Sequence, residues 1–91
     1  MQGEGTRACV RFRMPNGDTH ELEPGDIIGR LWTSALYLDN PRVSEAHAMI
    51  SLRDQTLKLL ALRGRFAVGN VITSEVILQP GLAVQIVHDL T

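Results

Sequence analysis

Turn-forming pairs recur along the whole of this sequence and leave apolar segments too short for anything but strands. Asn16-Gly17, Pro24-Gly25, Asp54-Gln55, Gly69-Asn70 and Pro80-Gly81 punctuate the chain, and Asp39-Asn40-Pro41 reads as a loop. Such residues bend a backbone because Gly, Asn and Asp accept positive φ and Pro fixes its own φ. Between the breaks, Ala8 to Met14 alternates, with Val10, Phe12 and Met14 on one face and Arg11 and Arg13 on the other. That spacing predicts a half-buried strand. Asn16-Gly17 predicts a type I′ hairpin turn, and Thr19 to Glu23 returns from it with His20 and Leu22 on one face. After Pro24-Gly25-Asp26 comes a third strand, Ile27-Ile28, ending at Gly29-Arg30, and Ala35 to Leu38 is a short fourth.

Farther along, His47 to Arg53 alternates again, with Ala48, Ile50 and Leu52 on one side, and Asp54-Gln55 turns the chain into Thr56 to Leu62. This last segment has a competing helical reading, since Leu57, Leu60 and Ala61 fit one helical face. Its brevity, and the two-residue polar turn before it, favour a strand. Arg65 to Val68 precedes Gly69-Asn70, and Glu75 to Leu78 with Leu82 to Val87 predict a closing hairpin around Gln79-Pro80-Gly81. The expected fold class is all-β, an antiparallel β-sandwich of short strands.

Ninety-one residues suffice for one independently folding core. Met1 to Thr6 is small and polar, so residues 1–6 are expected to be disordered and 7–91 to form a single domain. An end just after the last strand fits a domain excised from a longer protein. No apolar run approaches the ~20 residues of a membrane helix, and the N-terminus lacks a signal peptide's pattern. The lone Cys9 cannot form an internal disulfide, which points to a reducing cytoplasm. Nine basic and ten acidic residues give a net charge of −1, which argues against direct nucleic-acid binding. Of the basic residues only Lys58 is not arginine; arginine suits phosphate recognition through its planar fork, although a GC-rich coding sequence produces the same bias. His20, His47, His88 and Cys9 lack metal-ligand spacing, so no metal or cofactor is expected. Nor is a reaction: there are no paired carboxylates, and no third group or oxyanion-type glycine motif accompanies Ser44 and His47.

Chemistry-bearing residues concentrate between Gly29 and Ile50. Gly29-Arg30 closes a strand, and Val43-Ser44-Glu45-Ala46-His47-Ala48 runs from a loop into the next one. One guanidinium, and one loop hydroxyl followed three residues later by a histidine, resemble the signature of the forkhead-associated (FHA) family, over roughly Ile27 to Ile86. The resemblance implies a β-sandwich that binds phosphothreonine peptides through its loops. It implies that Arg30 grips the phosphate, that Ser44 donates its hydroxyl to it, and that His47 holds the loop in shape. Gly29 lets the backbone pass closely beside the arginine. Read without the family, Arg30 is a solvated surface residue and Ser44 a turn cap.

Several positions depart from the family pattern. Glu45 stands where the family carries a basic or amide residue, and Arg63-Gly64-Arg65 replaces the Asn-Gly-Thr turn whose asparagine holds the peptide backbone. Arg65 offers a replacement charge. A second Asn-Gly is inverted as Gly69-Asn70, and Leu82 occupies the closing acidic turn position. The expected function is a phosphothreonine-peptide-binding interaction module in signalling or transcriptional regulation. The alternative is a degenerate FHA-like domain serving phosphate-independent assembly or autoinhibition. The partner is expected to be a phosphothreonine-containing protein, with no membrane contact.

Overall fold

The computed structural model describes residues 9–86. The predicted disorder of Met1 to Thr6, the start of the first strand at Ala8 and the end of the last at Val87 lie outside these residues. Nine strands follow one another: β1 Val10–Arg13, β2 Thr19–Leu22, β3 Ile27–Gly29, β4 Leu36–Tyr37, β5 Ala48–Arg53, β6 Thr56–Ala61, β7 Phe66–Val68, β8 Val71–Thr73 and β9 Glu75–Ile77. The ambiguous segment after Asp54-Gln55 is therefore a strand, in register with β5 from Arg53↔Thr56 to Ala48↔Ala61. Among the described residues no helix is long and apolar enough to cross a membrane.

A five-stranded sheet of order β4-β3-β5-β6-β9 is accompanied by two hairpins, β1-β2 and β7-β8. Leu22, Ile28, Leu36, Ala48, Ile50, Leu59 and Phe66 form one buried cluster, onto which Val10, Phe12, Met14, Val84 and Ile86 pack. The core thus lies between the large sheet and the β1-β2 hairpin with β7, which makes the chain an all-β sandwich. The alternation in β1 runs as the sequence predicts, with Val10 and Phe12 half-buried and Arg11 and Arg13 exposed. One pair is not antiparallel: β3 and β4 run parallel through Ile28↔Leu36 and Gly29↔Tyr37. A turn closed by Ser34 N–H on the Leu31 carbonyl (2.9 Å) and a bond from Leu38 N–H to the Gly29 carbonyl (2.9 Å) make this short return possible.

Two turns differ from expectation. At Asn16-Gly17 only Gly17 has positive φ (96°). Pro15 has no N–H and cannot take the paired position that a type I′ turn would give it. The chain instead makes a three-residue loop, with Gly17 N–H on the Met14 carbonyl (2.9 Å) and Met14 N–H on the Asp18 carbonyl (2.7 Å). Type I′ geometry appears elsewhere, at Asp54-Gln55 (φ 53° and 64°) and Gly69-Asn70 (φ 57° and 68°), each joining two directly paired strands. The closing hairpin is corrected as well. β9 pairs with β6 through Lys58↔Ile77, Leu59↔Val76 and Leu60↔Glu75, covering an edge of β6 that would otherwise leave backbone groups unpaired. The segment after Gly81 crosses to the other layer and bridges Ala67 at Gln85.

One buried polar side chain positions the loops. His47 is 3% exposed. Its Nδ1 accepts the Ser44 N–H at 3.0 Å, so the ring proton sits on Nε2, which donates to the Arg65 carbonyl at 2.6 Å. The imidazole thereby joins the loop before β5 to the loop before β7. Gly64 lies flat against it: a Cβ there would fall within the van der Waals envelope of Cε1, Nδ1 and Nε2. Bonds from Leu62 N–H to the His47 carbonyl (2.9 Å) and Arg63 N–H to the Ala46 carbonyl (3.0 Å) complete the junction.

Two outcomes are expected from this architecture. Gln55→Gly removes a left-handed residue bearing a Cβ and should stabilise the fold by about 0.5 kcal/mol net of glycine's greater chain entropy. A urea midpoint that fails to rise contradicts the turn. His47→Ala leaves two backbone groups without their partner and Gly64→Ala overpacks the ring, so each should destabilise by about 1–3 kcal/mol. Thermal melts that match the parent for either variant would show that the junction contributes nothing.

Candidate functional site

The site is built on a close approach of two backbones. Gly29 ends β3 directly against the 44–45 loop, where a Cβ would collide with the Glu45 carbonyl and press on that of Ser44. Arg30 N–H then donates to the Ser44 carbonyl at 3.0 Å and Leu31 N–H to the Glu45 carbonyl at 3.4 Å. Only glycine permits this contact, which is a spatial need rather than one of φ.

Arg30 is consequently fixed at its root and again along its side chain. Its Nε donates to the Val43 carbonyl at 2.9 Å, while Val43 itself is buried. With Nε so engaged and the side chain exposed, the two terminal nitrogens of the guanidinium remain available to an oxyanion. Ser44, half-buried, follows Val43 in the same loop, and its backbone is fixed by Arg30 N–H and by His47 Nδ1. Glu45 is exposed beside it. Among the described residues no ion pair involves Arg30, Glu45, Arg63 or Arg65, whereas Arg11 pairs with Glu21 (2.8 Å) and Lys58 with Glu75 (2.7 Å).

The structure brings all six predicted positions together. Gly29 and Arg30 border the 44–47 loop on the β3 side, Ser44 and Glu45 lie in it, and His47 connects it to Arg65. Four further residues had no role in the site as read from the sequence. Gly64 is required by the imidazole, and the Gly between two arginines was its only signal. Arg63, exposed, is tied by its backbone N–H to the Ala46 carbonyl and so borders the 44–47 loop. Trp32, two residues past Arg30, is 80% exposed and Leu31 beside it 44%; a bulky apolar pair straight after a loop arginine marks a contact surface rather than core. Among the described residues no group of three or more His, Cys, Asp or Glu gathers to hold a metal.

No family model matches the sequence, and no curated protein does. Solved structures do. An FHA domain studied for phosphothreonine-dependent FHA domain interactions shares 26% identity, covers 86% of this chain and 86% of its own, and superposes with a TM-score of 0.74. The FhaA FHA domain, complexed with the intracellular domain of Rv3910, shares 29% identity over 76% of this chain and 79% of that one, with a TM-score of 0.66. Mycobacterium tuberculosis EmbR, in complex with a low affinity phosphopeptide, shares 24% identity and a TM-score of 0.73, covering 99% of this chain but 27% of EmbR. That likeness carries the fold alone. The strand order, the glycine-seated arginine loop and these superpositions agree: the chain is an FHA-like β-sandwich.

Proposed function

We propose that this domain, over residues 7–91, binds phosphothreonine-containing protein segments and acts as an interaction module in signalling or transcriptional regulation, in the cytoplasm. The observation that carries the reading is the exposed Arg30 side chain, held through Nε to the carbonyl of Val43, the residue before Ser44. Prepositioned donors lose little entropy on binding, and a phosphate dianion is the ligand a guanidinium fork fits best. One of the similar structures supports it, an FHA domain studied for phosphothreonine-dependent interactions. In this reading Arg30 and Ser44 contact the phosphate, Gly29 and His47 fix the loops, and Arg65 adds charge. Binding needs only fixed donors and a surface, so no reaction is assigned.

A second reading, phosphate-independent assembly, has a specific observation behind it. Glu45 is exposed and unpaired beside Ser44, where it opposes an incoming dianion. The same experiments decide between the two. Trp32, the sole tryptophan, stands close enough in sequence to Arg30 to report binding by fluorescence.

Hydrogen bonds to charged groups contribute ~1.5–3 kcal/mol each, so the Arg30 and Ser44 contacts together should favour a phosphorylated peptide over its plain twin by about a hundredfold. Arg30→Ala should abolish that preference, and Arg30→Lys, which keeps the charge without the fork, should restore only part of it. A phosphate preference that survives Arg30→Ala would falsify the anchor role; equal affinity of the parent domain for both peptides favours phosphate-independent assembly.

Glu45 supplies an independent check. At about 6–8 Å from a charge near −2, and after screening in physiological salt, its repulsion is roughly 1 kcal/mol. Glu45→Asn should therefore tighten phosphopeptide binding about fivefold, leave plain peptide unchanged, and lose its advantage as salt rises. No gain at low salt means that the phosphate does not sit at Ser44.

A further inference from the structure

We infer that Trp32 and Tyr37, on the connection from β3 into β4, form an apolar contact surface beside Ser44 and Glu45, and that the ligand it fits carries a large apolar side chain about one to three residues from its phosphothreonine. This rests on the phosphothreonine reading above and deepens it by naming a second element of the ligand.

The chain has four aromatic residues, and they divide into two pairs. Phe66 is buried in the core and Phe12 packs half-buried against it. Trp32 and Tyr37 belong to neither group: they are 80% and 47% exposed, and both follow Arg30 within seven residues of chain. Filling the sandwich does not require them.

Backbone pairing places both beside the same loop. Tyr37 is the register partner of Gly29 across the parallel β3-β4 pair. Register partners direct their side chains to one face of a sheet, about one strand spacing (~4.8 Å) apart. At Gly29 that face is occupied by the Glu45 carbonyl, which a Cβ would strike. The Tyr37 ring therefore stands on the face that the 44–45 loop crosses. Trp32 is carried there by a turn: Leu31 N–H donates to the Glu45 carbonyl at 3.4 Å, and the Leu31 carbonyl accepts Ser34 N–H at 2.9 Å. The second bond puts Trp32 and Thr33 at the two corners of a four-residue turn, whose side chains project away from the chain.

Tryptophan, tyrosine and arginine dominate the energetics of protein interfaces, because they offer large contact area with few rotatable bonds. All three stand together here. The neighbouring charges decide the chemistry of the occupant. A cationic ligand side chain would meet Arg30 and an anionic one Glu45, both exposed, whereas an apolar one meets neither penalty and removes ring surface from water. An extended ligand advances ~3.3 Å per residue, so side chains ~3–10 Å along from the phosphothreonine are the ones in reach.

Phosphothreonine peptides of one sequence test this by fluorescence anisotropy on the intact domain, with alanine, leucine or lysine at each neighbouring position on either side, beside their unphosphorylated twins. Leucine at one of these positions should bind about fivefold or more tightly than alanine, and lysine should bring no gain. In Trp32→Ala/Tyr37→Ala the leucine gain, taken as a ratio of Kd values within that protein, should fall towards one. Trp32→Phe/Tyr37→Phe, which keeps two rings, should recover part of it. A melt identical to the parent's excludes misfolding, and if the double variant melts early the two single substitutions are read in its place. No leucine gain at any position, an undiminished gain in the alanine variant, or a preference for lysine over leucine overturns the inference. If the parent prefers phosphorylated peptides and is indifferent to leucine, only this inference falls. If it ignores phosphate yet keeps a leucine gain that needs the two rings, the surface stands and the phosphothreonine reading falls.

Discussion

An imidazole with both nitrogens in use holds two loops of this molecule together. His47 receives the Ser44 N–H on one side and gives its proton to the Arg65 carbonyl on the other. Neither backbone group has to find water, and the two loops cannot move independently. Lysine or arginine could not substitute, having only donors, and a carboxylate has only acceptors when ionised. The flat ring also needs a flat neighbour, which makes Gly64 part of the same device. A second restriction of this kind lies at Gly29, where the backbone of one loop rests on that of the next.

These two contacts explain how a domain with short strands can present a rigid surface. β3 is a three-residue strand and β4 a two-residue one, so regular pairing alone fixes little of the chain between Arg30 and Ala35. Rigidity comes instead from hydrogen bonds between loops, anchored on buried Val43 and His47. Side chains that project from such loops, Arg30 above all, start from a defined position and lose less freedom when a ligand arrives. Carboxylates neutralise Arg11 on β1 and Lys58 on β6.

Where the sequence misled, a neighbour outside the two-residue signal was responsible. Asn16-Gly17 is the pair most associated with a type I′ turn, but Pro15 removed the donor that the turn's flanking position requires. The weaker Asp54-Gln55 pair adopted positive φ at both residues because β5 and β6, in register over six residue pairs, forced the two-residue connection. Val76 and Leu78 looked like half of a local hairpin, and the open edge of β6 competed successfully for that segment.

Alternation, turn residues and the absence of any long apolar stretch determined the all-β class and most strand positions, because side-chain period and backbone restrictions at Gly and Pro act locally. The Arg30, Ser44 and His47 spacing likewise picked out residues that the fold brings to adjoining loops. Only the tertiary structure decided that β9 covers β6, that β3 and β4 run parallel, and that Arg63 is bonded to Ala46. Those are pairings between segments distant in sequence, chosen by competition for exposed edges and buried hydrogen-bond partners, and no local pattern records the winner. Gly64 shows the division most sharply: in the sequence it is a small residue between two arginines, and in the fold it is the one residue that fits against the ring of His47.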